Sequence, residues 1–290
     1  RTGGSRVSAP TSFSLLMPVY AGDNADYFLR AFVSSVQEQT VRPTEVVLVE
    51  DGPVNPAMTA AIERLSSESP VPVTRVKLPH NVGLARALEA GLAKCAFDVV
   101  ARMDADDISE PERFAQQIAV LEQGFDLVGT GLVEFAGHES NLGATRIPPT
   151  NPEEISRSAR LAQPFHHPTV MYRKAAVAAV GGYQDIGPME DYWLFARMIH
   201  AGAAVANIAA PLVRYRVSAG AYARRGGIDK LRTELNLQRH LRELGFTTRA
   251  QYWRNVLVRG GYRLVPEAVR RQAYRRLIAN RFAEDSAAAN

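Results

Sequence analysis

Residues 97–107, FDVVARMDADD, join a short apolar run to three carboxylates within four positions: Asp104, Asp106 and Asp107. The apolar run favours a buried strand, so the acids lie where that strand ends. Side chains two positions apart on an extended backbone point the same way, and the small Ala105 leaves room between Asp104 and Asp106. Two hard oxygen ligands suit Mg²⁺ or Mn²⁺ in company with substrate phosphates.

Upstream of this stretch, apolar runs alternate with segments whose apolar residues follow helical spacing. Strands are predicted at 13–20, 44–51, 73–78 and 98–103, and helices at 23–39, 55–66, 82–95 and 111–124. Pro111 is placed at the first position of the last helix, where proline is favoured. Four strand and helix pairs in about 110 residues predict an α/β fold with a mostly parallel, doubly wound sheet and right-handed crossovers.

The second half of the chain shows a less regular pattern. A strand is predicted at 126–135, a loop at 137–152, an extended segment at 166–174, a turn at 181–183, a helix at 190–201 and a strand at 211–217. Two or three basic helices follow from Gly227 onward. Since no long linker separates the two halves, we expect one domain with a helical C-terminal extension.

Composition excludes several classes of protein. With 290 residues, of which 46% are hydrophobic and 22% charged, the chain is expected to bury a core rather than to be disordered. The lone Cys95 excludes an intramolecular disulfide and a multi-cysteine zinc site, and it fits a reducing cytoplasm. No run approaches the roughly 18 apolar residues that span a bilayer. The first residue is not methionine, so the sequence does not exclude a targeting segment ahead of it.

The net charge of +4 is unevenly distributed, because residues 249–281 hold nine arginines against one acid, Glu267. Aromatic and aliphatic residues interleave with these arginines, as in interfacial helices. We expect residues 249–290 to attach to an anionic membrane surface, with about 1 kcal/mol of attraction for each nearby arginine. The alternative is a solvated basic face that packs on the domain or on a second copy in a homodimer. Nucleic acid is not expected, since the arginines lie far in sequence from the acidic stretch.

Polar residues also end the first two strands, in MPVY (17–20) and VEDG (49–52). Ligands of doubly wound sheets bind at the carboxyl ends of the strands, so these segments and DAD (104–106) are expected to form one cleft. An EF-hand, a G-x-G-x-x-G fingerprint and a Walker loop are all absent from the sequence. A phosphate carried by a small molecule is the simplest ligand. Asp107 or Ser109 is expected to cap the helix that begins at Pro111.

Seven segments in order carry a resemblance to a known family: LLMPVYAGDNADYFLRAFVSSVQEQT, EVVLVEDGP, NVGLARALEAGL, VARMDADDISEPERF, HHPTVMYRK, GGY and MEDYWLFARM. They resemble the family-2 glycosyltransferases, which are inverting enzymes of the GT-A fold. The stretch 215–227 is similar to the exopolysaccharide and O-antigen branch, including amylovoran-type enzymes. The resemblance implies a flexible N-terminus (1–12), a GT-A catalytic domain (13–220) with nucleotide-binding (13–110) and acceptor (111–220) halves, and a basic helical extension (221–290).

The resemblance also implies a nucleotide-sugar pocket at the predicted cleft. Its residues are Pro18, Val19, Tyr20, Glu50, Asp51, Asn81, Arg86, Asp104, Ala105, Asp106, Arg224 and Arg225. Asp51 is the expected partner of a uracil ring nitrogen, while Glu50 stands where the family more often has Asp. In the D-x-D motif Asp106 binds the metal, and Asp104 reaches the ribose or the metal through water. Many members have a further histidine ligand near Ser218, and this chain has none there.

Inverting transfer needs a base for the acceptor hydroxyl, and the resemblance assigns Asp191 to this role with Glu190 beside it. Acids at a helix N-terminus are also favourable on dipole grounds alone, so capping is the alternative. Trp193 is expected to be either an acceptor platform or a core residue, and His167 to be acceptor-side or structural. UDP-galactose is the first expected donor, ahead of UDP-glucose and UDP-N-acetylglucosamine.

The implied acceptor is a saccharide or a polyprenyl-diphosphate-linked saccharide at the cytoplasmic face of the membrane. Two other functions stay open on the sequence alone. One is glycoside hydrolysis by two carboxylates, and the other is a catalytically silent protein that binds nucleotide sugars.

Overall fold

The structure is a computed structural model that describes residues 11–217 and 227–264, and the statements below concern these ranges. The strands are β1 (Phe13–Tyr20), β2 (Glu45–Asp51), β3 (Val73–Lys77), β4 (Val99–Arg102), β5 (Ile108–Ser109), β6 (Leu127–Phe135), β7 (Leu142–Arg146), β8 (Met171–Arg173) and β9 (Val205–Arg216). The helices of the first half are α1 (Ala25–Val36), α2 (Pro56–Glu68), α3 (Leu84–Leu92) and α4 (Arg113–Leu121). Those of the second half are α5 (Pro152–Ser158), α6 (Lys174–Ala179), α7 (Glu190–His200), α8 (Ile228–Glu243), α9 (Arg249–Asn255) and α10 (Gly261–Leu264). Arg224 and Arg225 lie outside the described residues.

The first half is a parallel sheet in the order β3-β2-β1-β4, covered by helices on both faces. Alternate residues of β1 face opposite sides, because successive side chains of a strand alternate. Phe13, Leu15 and Met17 pack with α1, α2 and α4, whereas Leu16 packs with α3 and α7. The doubly wound α/β prediction is therefore confirmed.

The second half extends the same sheet in the order β8-β6-β9-β5, with β7 beside β6. The long strands β6 and β9 are parallel, while β5, β7 and β8 run antiparallel to their neighbours. The predicted loop at 137–152 is wrong in part, because residues 142–146 form β7 against β6. The composition of residues 142–146, which includes glycine and polar residues, does not predict a strand. Pairing with β6 stabilises this strand more than its own composition does.

The segment after the acidic stretch differs from the capping prediction. Helix α4 begins at Arg113 rather than at Pro111, and its N-cap Glu112 makes no side-chain capping bond. Ser109 belongs to β5, which pairs with β9. Asp107 is buried, and its Oδ1 accepts the backbone N–H of Arg216 at 2.8 Å. Neither residue caps the helix, because Ser109 is part of the sheet and the Asp107 side chain is bonded to the backbone of β9.

The C-terminal helices pack on α7 and on the segment that follows α5. A small apolar cluster joins them, formed by Ala159, Tyr192, Trp193, Ala196, Leu237, Leu241 and Phe246. Beside this cluster the fully buried Glu234 accepts hydrogen bonds from Arg259 at 2.6 Å and from Arg263 at 3.0 Å. Among the described residues, no helix combines the length and the apolarity needed to cross a membrane.

Candidate functional site

The three polar strand ends lie side by side at one edge of the sheet. Tyr20 pairs with Asp51 across β1 and β2, and Leu16 of β1 pairs with Arg102 of β4. Pro18 and Val19 are the last buried part of β1, whereas the Tyr20 side chain is 48% exposed. These strand ends lie on one edge of the sheet, because parallel neighbours end on the same side. The cavity described below includes Asp104 but not the ends of β1 and β2.

The end of β2 is fixed to the start of α3. The Asp51 carboxylate accepts the backbone N–H groups of Val82 at 2.7 Å and Gly83 at 3.1 Å. Gly52 has φ +83°, and a Cβ there would lie 2.6 Å from the backbone nitrogen of Asn81. Glycine is required at this close approach, since any side chain would strike the neighbouring backbone. Asp51 and Asn81 thus share one compact turn at the edge of the cleft.

Glu50 and Arg86 are both engaged in ion pairs. Glu50 is buried and accepts from Nε of Arg75 at 2.8 Å. Arg86 lies on α3 with 67% of its side chain exposed, 3.3 Å from a carboxylate oxygen of Asp185. Asp185 belongs to the loop that leads into α7, so Arg86 joins the nucleotide-side helix to the segment before Glu190.

Arg102 lies at the centre of the acidic cleft, and the sequence analysis missed it. Its side chain is 2% exposed, and its two terminal nitrogens donate to both Asp104 oxygens, Nη1 to Oδ2 at 2.8 Å. Burial alone would lower the pKa of Arg102, but the charge of Asp104 raises it overall. Arg102 and Asp104 are two positions apart on an extended backbone, so their side chains point the same way. This spacing is the feature of the sequence that could have predicted the pair.

A cluster of carboxylates surrounds this guanidinium group. Burial, followed by the charge of Asp104, raises the pKa of Asp106 to about 6. Burial raises the pKa of Asp107 well above its usual range. Asp23, which the sequence analysis also missed, has its pKa raised to about 6 by burial and by the charges of Asp106 and Asp104. This environment favours a cation, because an added positive charge would relieve the repulsion among the acids.

The residues present would bind a divalent metal ion only if a bound substrate supplied further oxygen ligands. Within residues 11–217 and 227–264, no three His, Cys, Asp or Glu side chains are grouped to hold a metal ion. Both Asp104 oxygens are taken up by Arg102, which leaves Asp106 as the better ligand. Magnesium and manganese commonly take one or two carboxylates together with substrate phosphates, so a diphosphate would complete the set.

A cavity of about 330 Å³ joins the acidic strand end to the start of α7. Of the predicted residues it brings together Asp104, His167, Glu190 and Asp191. Its other lining residues were not predicted as site residues: Leu84, Arg102, Leu132, Arg146, Gln163, Phe165, His166, Pro168, Pro188 and Tyr215. Asp104, two positions after β4, and the acids on α7 therefore face one space, although 87 positions separate Asp104 from Asp191.

Neither acid of α7 occupies the N-cap position, although Oδ1 of Asp191 accepts the backbone N–H of Tyr192 in the first turn at 2.6 Å. The N-cap residue is Met189, which makes no side-chain capping bond. The other oxygen of Asp191, Oδ2, accepts from Nε2 of Gln163 at 2.6 Å. Burial, then the charge of Asp191, raises the pKa of Glu190 to about 7, and burial also raises the pKa of Asp191. A poised carboxylate pair of this kind is typical of proton transfer.

His167 stands behind Asp191, with Nδ1 3.6 Å from Oδ2 of that residue. Its Nε2 is 2.9 Å from the hydroxyl of Tyr183, and burial lowers the pKa of His167 well below its usual value. Trp193 is 7% exposed, packs in the cluster under α8 and is not among the cavity-lining residues. The structure thus favours the core alternative for Trp193, because α8 covers its side chain.

Comparison with known proteins bears on this geometry. The family model for glycosyl transferase family 2 matches residues 14–181. An uncharacterized glycosyltransferase of Haemophilus influenzae is 36% identical over 90% of this chain and 97% of its own length. The amylovoran biosynthesis glycosyltransferase AmsE of Erwinia amylovora is 36% identical over 90% of this chain and 97% of its length. The UDP-Gal:alpha-D-GlcNAc-diphosphoundecaprenol beta-1,3-galactosyltransferase of Escherichia coli is 30% identical over 92% of this chain and 96% of its own length.

Solved structures agree on the fold. S. aureus TarS in complex with UDP-GlcNAc superposes with a TM-score of 0.63 at 15% identity, over 85% of this chain and 70% of that one. The Pyrobaculum calidifontis mannosyltransferase PcManGT, in complex with GDP-Man and Mn²⁺, gives a TM-score of 0.63 at 17% identity. The superposition covers 97% of this chain and 81% of PcManGT. The expected GT-A-like fold is confirmed. Since the family model covers more than half of the sequence and relatives at 36% identity align over nine-tenths of it, this chain belongs to glycosyl transferase family 2.

Proposed function

We propose that this glycosyltransferase moves a sugar from a UDP-sugar, with UDP-galactose first, to a saccharide or polyprenyl-diphosphate-linked saccharide in bacterial cell-surface polysaccharide synthesis. The observation that carries the proposal is Asp191, whose side chain is 17% exposed, in the cavity that also holds Asp104. A carboxylate of raised pKa is a stronger base than an exposed one, and here it faces the predicted donor side. The reaction is a direct displacement with inversion at the anomeric carbon.

In this proposal Asp191 takes the proton from the acceptor hydroxyl as that oxygen attacks the sugar. Gln163 fixes Oδ2 of Asp191 by its 2.6 Å hydrogen bond, so the carboxylate is held in one orientation before the acceptor arrives. Glu190 lies beside it and contacts the acceptor side of the cavity. His167 is neutral and buried, which keeps the charge next to Asp191 low.

The donor side is assigned to the edge formed by β1, β2 and β4. Pro18, Val19 and Tyr20, with Asp51 and Asn81, would hold the base and ribose, and the D-x-D segment would hold the diphosphate. Asp106 is the proposed ligand of Mn²⁺ or Mg²⁺, which when bound neutralises charge on the leaving diphosphate as a Lewis acid. Asp104, held by Arg102, would contact the ribose.

The names of these relatives support the proposed classes of donor and acceptor. The Escherichia coli relative is named as a transferase from UDP-Gal to a diphosphoundecaprenol-linked acceptor, and AmsE is named for amylovoran synthesis. PcManGT was solved with Mn²⁺. These names support the proposal that the reaction takes place at the cytoplasmic face of the membrane, where a nucleotide sugar would meet a lipid-linked acceptor. No observation favours the hydrolase alternative.

A nucleotide-sugar panel tests the donor assignment. The full chain is incubated with UDP-galactose, UDP-glucose, UDP-N-acetylglucosamine or GDP-mannose, with and without Mn²⁺, and its thermal unfolding midpoint is measured. We expect UDP-galactose with Mn²⁺ to give the largest upward shift, because a ligand that binds only the folded state stabilises it. UDP release with a GlcNAc-diphosphate-lipid acceptor then measures transfer. Binding without transfer to any acceptor would instead support the silent-protein alternative.

The acid limb of the pH–rate profile is the second test of the site. The active base is the deprotonated form, and both carboxylate pKa values of the Glu190–Asp191 pair are raised, that of Glu190 to about 7. We expect kcat/KM to fall about tenfold for each pH unit below this range. The loss therefore begins at a higher pH than for an exposed carboxylate.

Glu190→Gln is expected to move this limb to lower pH, because Asp191 then titrates without a negative neighbour. The measurement is kcat/KM against pH for both proteins with the same donor and acceptor. A limb that stays in place in the variant would show that the pair is not what titrates.

A further inference from the structure

Large apolar side chains lie exposed along one side of the C-terminal helices. The exposed fractions are 62% for Trp253, 73% for Leu257, 59% for Val258 and 38% for Tyr262. Single exposed apolar residues are ordinary on a protein surface, but four within ten positions form a contiguous stretch that needs a partner. We call these four residues the α9–α10 face.

The opposite side of the same helices is fixed to the domain. Asn255 is buried and donates through Nδ2 to the backbone oxygen of Arg160 at 2.7 Å and to Oε1 of Gln238 at 2.9 Å. Arg259 donates to the backbone oxygen of Leu161 at 3.0 Å. These bonds decide the orientation of the helices, so the α9–α10 face is turned away from the domain.

The backbone geometry keeps the four side chains of this face together. Residues 256–260 form a π-helical turn between α9 and α10. Such a turn has i to i+5 hydrogen bonds, so residues four or five positions apart fall on one side. The spacing of Trp253, Leu257, Val258 and Tyr262 fits this period.

The charge beside the face is positive. Residues 249–264 include four arginines and no acid. Arg259 and Arg263 are paired with the buried Glu234, and Arg254 donates to Oδ1 of Asn255 at 3.0 Å. Arg249 is exposed, four positions before Trp253 on α9. The sequence continues with five more arginines and one acid up to Arg281. Aromatic and aliphatic groups beside uncompensated arginines match the surface chemistry of an anionic lipid bilayer.

We propose that the α9–α10 face docks on an anionic lipid bilayer, with Trp253 and Leu257 in the interface and Arg249, one helical turn before Trp253, at lipid phosphates. A second copy of the chain fits less well, because a symmetric contact would bring like-charged arginines together. A stable dimer also takes about 20 to 30 residues from each side, far more than this face offers.

The docking face is connected to the catalytic cavity. The bonds from Asn255 and Arg259 hold residues 160–161, two positions before Gln163, which donates to Asp191. The face is thereby joined to the cavity by a short hydrogen-bonded segment. The inference goes beyond the proposed function, since binding to bare lipid needs neither donor nor acceptor.

Vesicle flotation of the full chain tests the apolar part of the proposal. Vesicles that contain phosphatidylglycerol are compared with vesicles of phosphatidylcholine alone, in the absence of nucleotide. We expect the protein to float with the anionic vesicles. Leu257→Gln is expected to weaken binding of the protein to these vesicles about tenfold, because it removes a leucine that would be buried in the lipid interface. Leu142→Gln is the matched control, since Leu142 is also exposed, at 54%, but lies on β7. Equal binding by the two variants would overturn the proposal.

The charge part is tested by replacing Arg249 with Gln. We expect the variant to bind anionic vesicles about fivefold more weakly, and we expect the native chain to bind them more weakly at high salt. Arg157→Gln, a change at an exposed arginine on α5, is the control and is expected to bind like the native chain. Equal recovery on both vesicle types would overturn the proposal. So would a concentration-dependent dimer that Leu257→Gln abolishes while vesicle binding is absent throughout.

Discussion

Replacing Asp191 with Asn is expected to lower the turnover number by about 10²- to 10⁴-fold, the range that a general base contributes. Asparagine keeps the shape of the side chain, and its amide oxygen can still accept the hydrogen bond from Gln163, but it cannot take a proton. Donor affinity should stay within about twofold of that of the native chain, because Asp191 belongs to the proton-transfer step rather than to nucleotide binding. UDP release at saturating substrate measures the first quantity, and calorimetric titration with the UDP-sugar measures the second.

Asp229→Asn is the matched control for this substitution. Asp229 lies in the first turn of α8 with 94% of its side chain exposed, so the same chemical change there should leave turnover unaffected. If Asp191→Asn turned over as fast as the native chain, the proton would have to leave through another group, and Glu190 would be the first residue to examine. If it lost donor binding as well, Asp191 would belong to the nucleotide pocket.

Replacing Arg102 with Met is expected to lower the free energy of unfolding by about 3 to 5 kcal/mol, the usual result of removing one partner from a buried ion pair. The guanidinium group is the buried counter-charge of Asp104, and Asp106 and Asp107 stand in the same acidic cluster. Without it, Asp104 keeps a negative charge that has lost both of its hydrogen bonds from Arg102. Urea unfolding of the chain without ligands measures the difference.

A second substitution separates this charge effect from lost packing. Adding Asp104→Asn to Arg102→Met should restore part of the stability, because the unpaired charge is then removed as well. Arg64→Met breaks an ion pair with Glu68 in which both side chains are more than half exposed, and it should cost less than about 1 kcal/mol. A loss in Arg102→Met as small as in Arg64→Met would show that Arg102 is not the counter-charge of the cluster.

The first half of the fold could be predicted closely from the sequence. Strand β1 occupies the predicted residues 13–20, and β2, β3 and β4 differ from their predictions by at most one residue at either end. The reason is that buried parallel strands and amphipathic helices carry their periodicity within a short window. In the second half, β7 lay inside a predicted loop and α5 lay almost wholly in a stretch with no predicted element, since pairing with β6 and the Asn151 cap stabilise them more than their composition does.

The candidate site was predictable only where a motif is local. The D-x-D pair and the acids at the start of α7 were identified, whereas Gln163 was not, because it lies in an irregular segment 28 positions before Asp191. Asp107 was assigned to a cap since its helix is near in sequence. Its actual partner, the backbone of Arg216, is 109 positions away.

The sequence by itself therefore determined the alternation of strands and helices and the placing of acids at the strand ends, because periodicity acts over a few residues. Only the tertiary structure decided what each acid does. It paired Asp104 with Arg102, buried Asp107 against β9, fixed Asp191 through Gln163 and covered Trp193 with α8. Burial and hydrogen-bond partners depend on contacts between distant segments, and these raise or lower a carboxylate's pKa more than its neighbours in sequence do.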